Sequence, residues 1–139
     1  LRLLSAVIIL IAGCGAAISE SAQAPSTRDP SVTILVVRRP TRSLFAEYSR
    51  ELVLRKKGVD VAHLDLQKDT GGYSEVKLYI YGDGTLYAVD AFGNYLLDPC
   101  RGTIVTVDHP RPGGELLGSF REAGKAKTFS FVRTGDSST

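Results

Sequence analysis

Short apolar runs alternate with turn-forming clusters along most of the chain, and this punctuation predicts its elements. Ser31–Val37, SVTILVV, is β-branched and almost continuously apolar, the pattern of a central strand covered on both faces. Arg38-Arg39-Pro40-Thr41-Arg42 ends it, because Pro40 has no amide hydrogen to give to a ladder. Residues 43–57 read as a helix. Ser43 can cap it, Leu44, Phe45, Tyr48 and Leu52 form one apolar stripe, and Arg55-Lys56-Lys57 fill the last turn. Gly58 then sits where a left-handed terminator belongs. A strand through Leu52-Val53-Leu54 is the alternative. Val59–Leu66 alternates, with a change of phase near Ala62 that marks a bulge. Strand, helix and strand in so few residues suggest a right-handed crossover with parallel strands.

The second half reads as hairpins. Glu75–Tyr81 and Thr85–Asp90 flank Gly82-Asp83-Gly84. A two-residue Asp83-Gly84 turn would set Ile80 opposite Tyr87 and place Val76, Leu78, Ile80, Tyr87 and Val89 on one face. A three-residue loop is also permitted and shifts that register. Tyr95–Leu97 and Thr103–Val107 are further short strands, and His109-Pro110-Arg111-Pro112-Gly113-Gly114 is a loop. Leu116–Phe120 and Thr128–Val132 pair as a last hairpin across Ala123-Gly124-Lys125. The expected fold is α+β, a mostly antiparallel sheet of short strands and hairpins with one main helix at residues 43–57. Residues 31–134 would be its single domain, and 135–139 a disordered tail.

The first 14 residues have a different logic. Arg2 precedes the apolar run Leu3–Ile11, which leads through Ala12-Gly13 to Cys14, the charged, apolar and small-residue order of an export signal. The run is about half the ~20 residues that cross a bilayer core. Ile11-Ala12-Gly13-Cys14 resembles the lipobox of bacterial lipoproteins. That resemblance implies cleavage before Cys14, acyl chains on its sulfur and amine, and attachment to a membrane without spanning it. Gly15 in place of aspartate implies the outer membrane, with the domain facing the periplasm. Gly15–Pro30, rich in Ala, Ser and Pro, reads as a flexible tether.

Composition narrows the function classes. Seventeen Lys and Arg against 15 Asp and Glu give a net charge of +2, and removing residues 1–14, which carry Arg2, brings it near +1. A nucleic-acid partner is not expected. The two cysteines are Cys14 and Cys100, so lipidation of Cys14 leaves Cys100 without an intrachain partner.

Candidate chemistry is sparse. His63 and Asp65 share one face of a strand, but no metal-ligand spacing surrounds them, and no metal or cofactor is expected. Cys100 with His63 or His109 is the only thiol-and-base combination, and no serine lies in a Gly-x-Ser-x-Gly turn. An anchored hydrolase or thiol enzyme using Cys100 or His63 and Asp65 is one alternative function, and an immunity protein or enzyme inhibitor another. The leading expectation is a non-catalytic binding or envelope-assembly module with no catalytic residues. Its partners would be the membrane through Cys14 and another envelope protein or peptidoglycan. The candidate surface combines Tyr79 and Tyr81, which bury area at small entropic cost, with the basic cluster Arg38, Arg39 and Arg42 near the tether.

Overall fold

The computed structural model describes residues 19–41, 47–70 and 75–136. They form ten strands and no helix: β1 (Glu20–Pro25), β2 (Val32–Pro40), β3 (Glu47–Lys56), β4 (Val59–Thr70), β5 (Val76–Ile80), β6 (Leu86–Val89), β7 (Asn94–Asp98), β8 (Thr103–Val107), β9 (Glu115–Ala123) and β10 (Thr128–Arg133). The fold is all-β, which overturns the α+β expectation.

Two antiparallel sheets make it up, in the orders β1-β2-β3-β4 and β10-β9-β5-β6-β7-β8. One core lies between them. The first sheet contributes Ala22, Ala24, Val32, Ile34, Val36, Leu52, Leu54 and Leu66, and the second Val76, Leu78, Ile80, Leu86, Ala88, Tyr95, Leu97, Phe120 and Phe129. β1 packs beside β10 and β4 beside β8, so the edges of the two sheets meet and the sandwich nearly closes on itself.

The expected helix at 43–57 is corrected by β3, with residues 42–46 outside the described region. Arg50, Leu52 and Leu54 are buried on the inward face of β3, while Glu51 and Arg55 are partly exposed on the other, a period of two that the helical reading set aside. Pairing on both sides, with β2 and β4, settles the choice, since a central strand gains two ladders that a helix would forgo. Lys57 and Gly58 have φ of 51° and 77°, as a two-residue hairpin turn requires. The glycine that looked like a helix terminator turns β3 into β4. The parallel crossover therefore gives way to an antiparallel meander, and the bulge expected near Ala62 is present as a register shift between Leu54 and Arg55.

The tether is corrected in part. Glu20–Pro25 is a strand paired with β2, and Ala22 and Ala24 are buried by alternation with Ser21, Gln23 and Pro25. Small side chains at the inward positions let the edge strand lie close to the other sheet, and they hid the periodicity. β2 is interior to its sheet as expected, and Leu35, on its outer face, is only 6% exposed.

In the β5–β6 hairpin, Ile80 pairs with Leu86 and Tyr79 with Tyr87. The Gly82-Asp83-Gly84 loop is the three-residue form, closed by Tyr81 N–H to the Thr85 carbonyl at 2.9 Å. The two-residue register is thus corrected: Leu86 and Ala88 join Val76, Leu78 and Ile80 in the core, and Tyr87 and Val89 turn outward with Tyr79 and Tyr81.

Two ends of the sandwich can be told apart. One carries the β1–β2, β3–β4, β5–β6 and β7–β8 turns. The other carries the start of β1, the β6–β7 turn and the β9–β10 turn.

Gly118 sits at a register shift of β9 against β5. A Cβ there would fall on the Val132 carbonyl oxygen and lie 2.7 Å from Phe131 Cζ and 2.9 Å from Arg133 Cα. Gly118→Ala is expected to destabilise the domain by about 1–3 kcal/mol, the usual range for overpacking. Urea denaturation measures it, and an unchanged midpoint would show that the β9–β10 spacing is wrong.

Candidate functional site

The tyrosine face of the second sheet is organised by the connection between β8 and β9. β8 ends beside Asn94, and β9 begins beside Ile80, at the opposite end of the strands and four positions across the sheet. Four strand spacings are about 19 Å and the offset along the strands about 10 Å, whereas the chain from 107 to 115 reaches about 27 Å when extended. The segment 108–114 therefore crosses the outer face with little slack, bending at 108–109 and turning at 112–113, where Gly113 has φ of 89°.

Three contacts fasten this crossing. The Tyr81 hydroxyl donates to the Arg111 carbonyl, the Arg111 guanidinium carbon lies 4.7 Å from the centre of the Tyr81 ring, and Arg111 Nη2 donates to Asp83 Oδ2 at 3.0 Å. Gly114 permits the approach, since a Cβ there would stand 2.7 Å from Tyr81 Cζ. Tyr81 also meets Tyr87 edge-on, with ring centres 4.9 Å apart. Burial pushes the Tyr81 hydroxyl pKa up.

Of the sequence candidates, Tyr81 is thus buried at 6% exposure and serves as the seat of the crossing, while Tyr79 is half-buried beside it. Between them, Val89, Pro110 and Gly113 complete a groove of about 270 Å³. Sequence patterning identified the tyrosines and the loop separately. It missed that the loop lies on the tyrosines, because the contact joins residues 30 apart through a crossing that no local signal encodes.

The basic cluster is divided by the fold. Arg38 points inward at the end of β2 where β1 begins, 8% exposed, and its guanidinium lies 4.5 Å from the ring centres of both Tyr48 and Phe129. Its Nε donates to Glu20 and its Nη2 to Glu122 at 2.9 Å. Burial opposes its charge, but the Glu122 and Glu20 carboxylates more than offset this and hold its pKa up. Arg38 therefore ties β1 and β2 to β9. Arg39 is exposed and reaches Glu51 at 3.3 Å, and Arg42 lies outside the described residues.

A second inward arginine, Arg50, was not singled out in the sequence. Its Nη2 donates to Asp90 Oδ2 at 2.9 Å, and Nε and Nη2 donate to the Gln67 carbonyl at 3.1 and 2.8 Å. Asp90 Oδ1 accepts the Phe92 and Gly93 amides at 2.9 Å and the Tyr95 hydroxyl at 3.3 Å. Burial, and then the neighbouring Asp90 charge, push Tyr95 up to about 12.

The remaining candidates are not brought together into a reactive constellation. His63 Nδ1 is hydrogen-bonded to Glu51 Oε1 on the outer face of the first sheet, and that bond, with the smaller help of Arg39, lowers the Glu51 pKa despite burial. Asp65 lies opposite Glu51. Cys100 is exposed in the β7–β8 turn and lines a cleft of about 260 Å³ with Ser26, Asp29, Asp83 and Asp98; no histidine lines that cleft. His109 follows β8 at its other end. Among the described residues no group of three or more His, Cys, Asp or Glu side chains is placed to hold a metal ion. Cys14 lies outside them.

Compared with protein families, with characterised proteins and with solved structures, the chain matches none.

Asp83 provides a handle on the fastened crossing. Hydrogen bonds from Thr85 first, and then from Arg111, lower its pKa to about 2. Such a depressed carboxylate stabilises the loop at pH above its unfolded value near 3.8, and the effect is lost as pH falls through about 2. Arg111→Ala is expected to raise the Asp83 midpoint, followed by carboxyl NMR, while leaving it below 3.8 because the Thr85 bonds persist. An unchanged midpoint would show that Arg111 does not rest on Asp83.

Proposed function

We propose that this chain is a lipid-anchored protein of the bacterial cell envelope, held at the outer membrane with its domain in the periplasm. Its β-sandwich serves as a non-catalytic module that binds another envelope protein. The anchor reading rests on Arg2, the apolar run and Ile11-Ala12-Gly13-Cys14. Several acyl chains on one residue hold a protein far more firmly than the marginal attachment of one.

The observation that carries the binding reading is the segment 108–114 fastened across the outer face of β5 and β6. It leaves a groove walled by Tyr79, Tyr81, Val89, Pro110 and Arg111. A loop held at Arg111 by three contacts loses little entropy when a partner docks. Tyr79 presents a rigid aromatic surface with one polar tip, and Arg111 keeps about half of its side chain exposed beside it. At about 270 Å³ the groove is small for a free ligand, and suits one or two side chains of a larger partner.

The test is co-purification from intact envelopes through a tag at the C-terminus, comparing the parent chain with Tyr79→Ala and Cys14→Ser. The parent should recover a partner. Tyr79→Ala should lose it by about tenfold or more, as truncation of an aromatic hot spot does, with an unchanged urea midpoint. Cys14→Ser should leave an unprocessed precursor that takes up no labelled fatty acid. Equal recovery by Tyr79→Ala would remove the groove, and undiminished labelling of Cys14→Ser would remove the anchor.

A further inference from the structure

The point at which the chain enters the fold restricts how an anchored domain stands on its membrane. This inference rests on the reading of Cys14 as the lipidated residue. β1 begins at Glu20, so the whole connection is Gly15–Ser19, and six peptide steps from Cys14 to Glu20 span at most about 20 Å. Glu20 lies at the end of the sandwich marked by Arg38, Phe129, the β6–β7 turn and the β9–β10 turn. From there to the far end, β2 alone runs nine residues, about 26 Å at 3.3 Å per residue. The connection is shorter than the sandwich. It cannot double back along the domain and set the far end against the bilayer.

We propose that the end of the sandwich bearing Glu20, Phe92 and the Lys125–Lys127 turn rests on the headgroup surface of the membrane that holds Cys14. The cleft beside Cys100 and the end of β10 then face away from it. The composition of this end suits that contact. Phe92 is 45% exposed at the tip of the β6–β7 turn, its ring centre 5.8 Å from the Arg50 guanidinium carbon, and Lys125 and Lys127 are exposed in the β9–β10 turn, an apolar ring and flexible ammonium groups that suit the headgroup boundary. Glu20 and Glu122, the acids nearest the point of entry, are both paired with Arg38. Lys68 is exposed at the same end, and Glu75 and Asp108, also exposed there, offset most of the lysine charge. Charge therefore adds little preference, and the length of the connection is what keeps the far end off the bilayer. The orientation is accordingly expected in neutral as well as anionic membranes.

The chain contains no tryptophan, so single-tryptophan variants of the full-length lipidated protein report without background. The variants are Phe92→Trp and Lys125→Trp at the entry end, and Arg101→Trp in the β7–β8 turn, where the side chain is 82% exposed. Each is reconstituted into phosphatidylcholine vesicles containing dansyl-labelled headgroups, and flotation is recorded alongside energy transfer. Transfer from Phe92→Trp and Lys125→Trp is expected to exceed that from Arg101→Trp by about fivefold, given the ~26 Å between the ends. Inserting twenty Gly and Ser residues after Gly15 should bring the three values together. Equal transfer, or greater transfer from Arg101→Trp, in protein that floats would overturn the orientation and leave the anchor standing. Protein that neither floats nor takes up fatty acid would overturn the anchor reading and this proposal with it.

Discussion

The ion pair between Arg50 and Asp90 joins the two sheets at the end where the chain enters, and the polar part of the interior is arranged around it. Both side chains are almost wholly withdrawn from water, at 2% and 0% exposure. Arg50 stands directly opposite Arg38 on β2, on the same inward face. Like charges in that position repel, and each needs its own acids. Asp90 and the Gln67 carbonyl serve Arg50, while Glu20 and Glu122 serve Arg38. Arg50 Nη1 is left without a hydrogen-bond partner. A buried pair of this kind is seldom worth more than apolar packing, but removal of one partner strands the other charge at high cost. The pair therefore adds little to total stability beyond what packing would give, yet losing either member is costly.

The same division explains why the basic cluster at the end of β2 does not behave as a surface patch. Arg38 is enclosed by two aromatic rings and two carboxylates drawn from β1, β3, β9 and β10. It closes the sandwich along the edge where β1 meets β10. The groove beside Tyr79 depends on a second fastening of similar chemistry, an arginine on a tyrosine ring with an aspartate behind it. One arginine holds the sheets together and the other holds a loop across one of them.

Much of the sheet was legible in the sequence because alternation is a local property. β8 lies where its β-branched run puts it, and β2 and the β9–β10 hairpin are found but run further than expected. β2 continues through Pro40, which pairs with Tyr48 at the end of the ladder instead of breaking it, and β9 continues to Ala123, which pairs with Thr128. β3 was misread because Ser43, the apolar stripe from Leu44 to Leu52 and Gly58 satisfy helical rules, and only pairing with β2 and β4 outweighs them. β1 was misread because alanine at its inward positions gives a weak apolar signal. The site was legible only in parts. Tyr79, Tyr81 and the proline-glycine loop stood out, whereas their contact, the Arg38 pair with Glu122 84 residues away and the Arg50 pair with Asp90 40 away are products of topology.

The most direct measurement is a double-mutant cycle on Arg50 and Asp90, read by urea denaturation of Arg50→Leu, Asp90→Asn and the double variant. Each single change should cost about 3–5 kcal/mol by stranding a buried partner. The double variant should cost less than the sum by about 2 kcal/mol or more, the mark of residues in contact. Costs that add to within about 0.5 kcal/mol would place the two side chains apart and contradict this arrangement of the sheets.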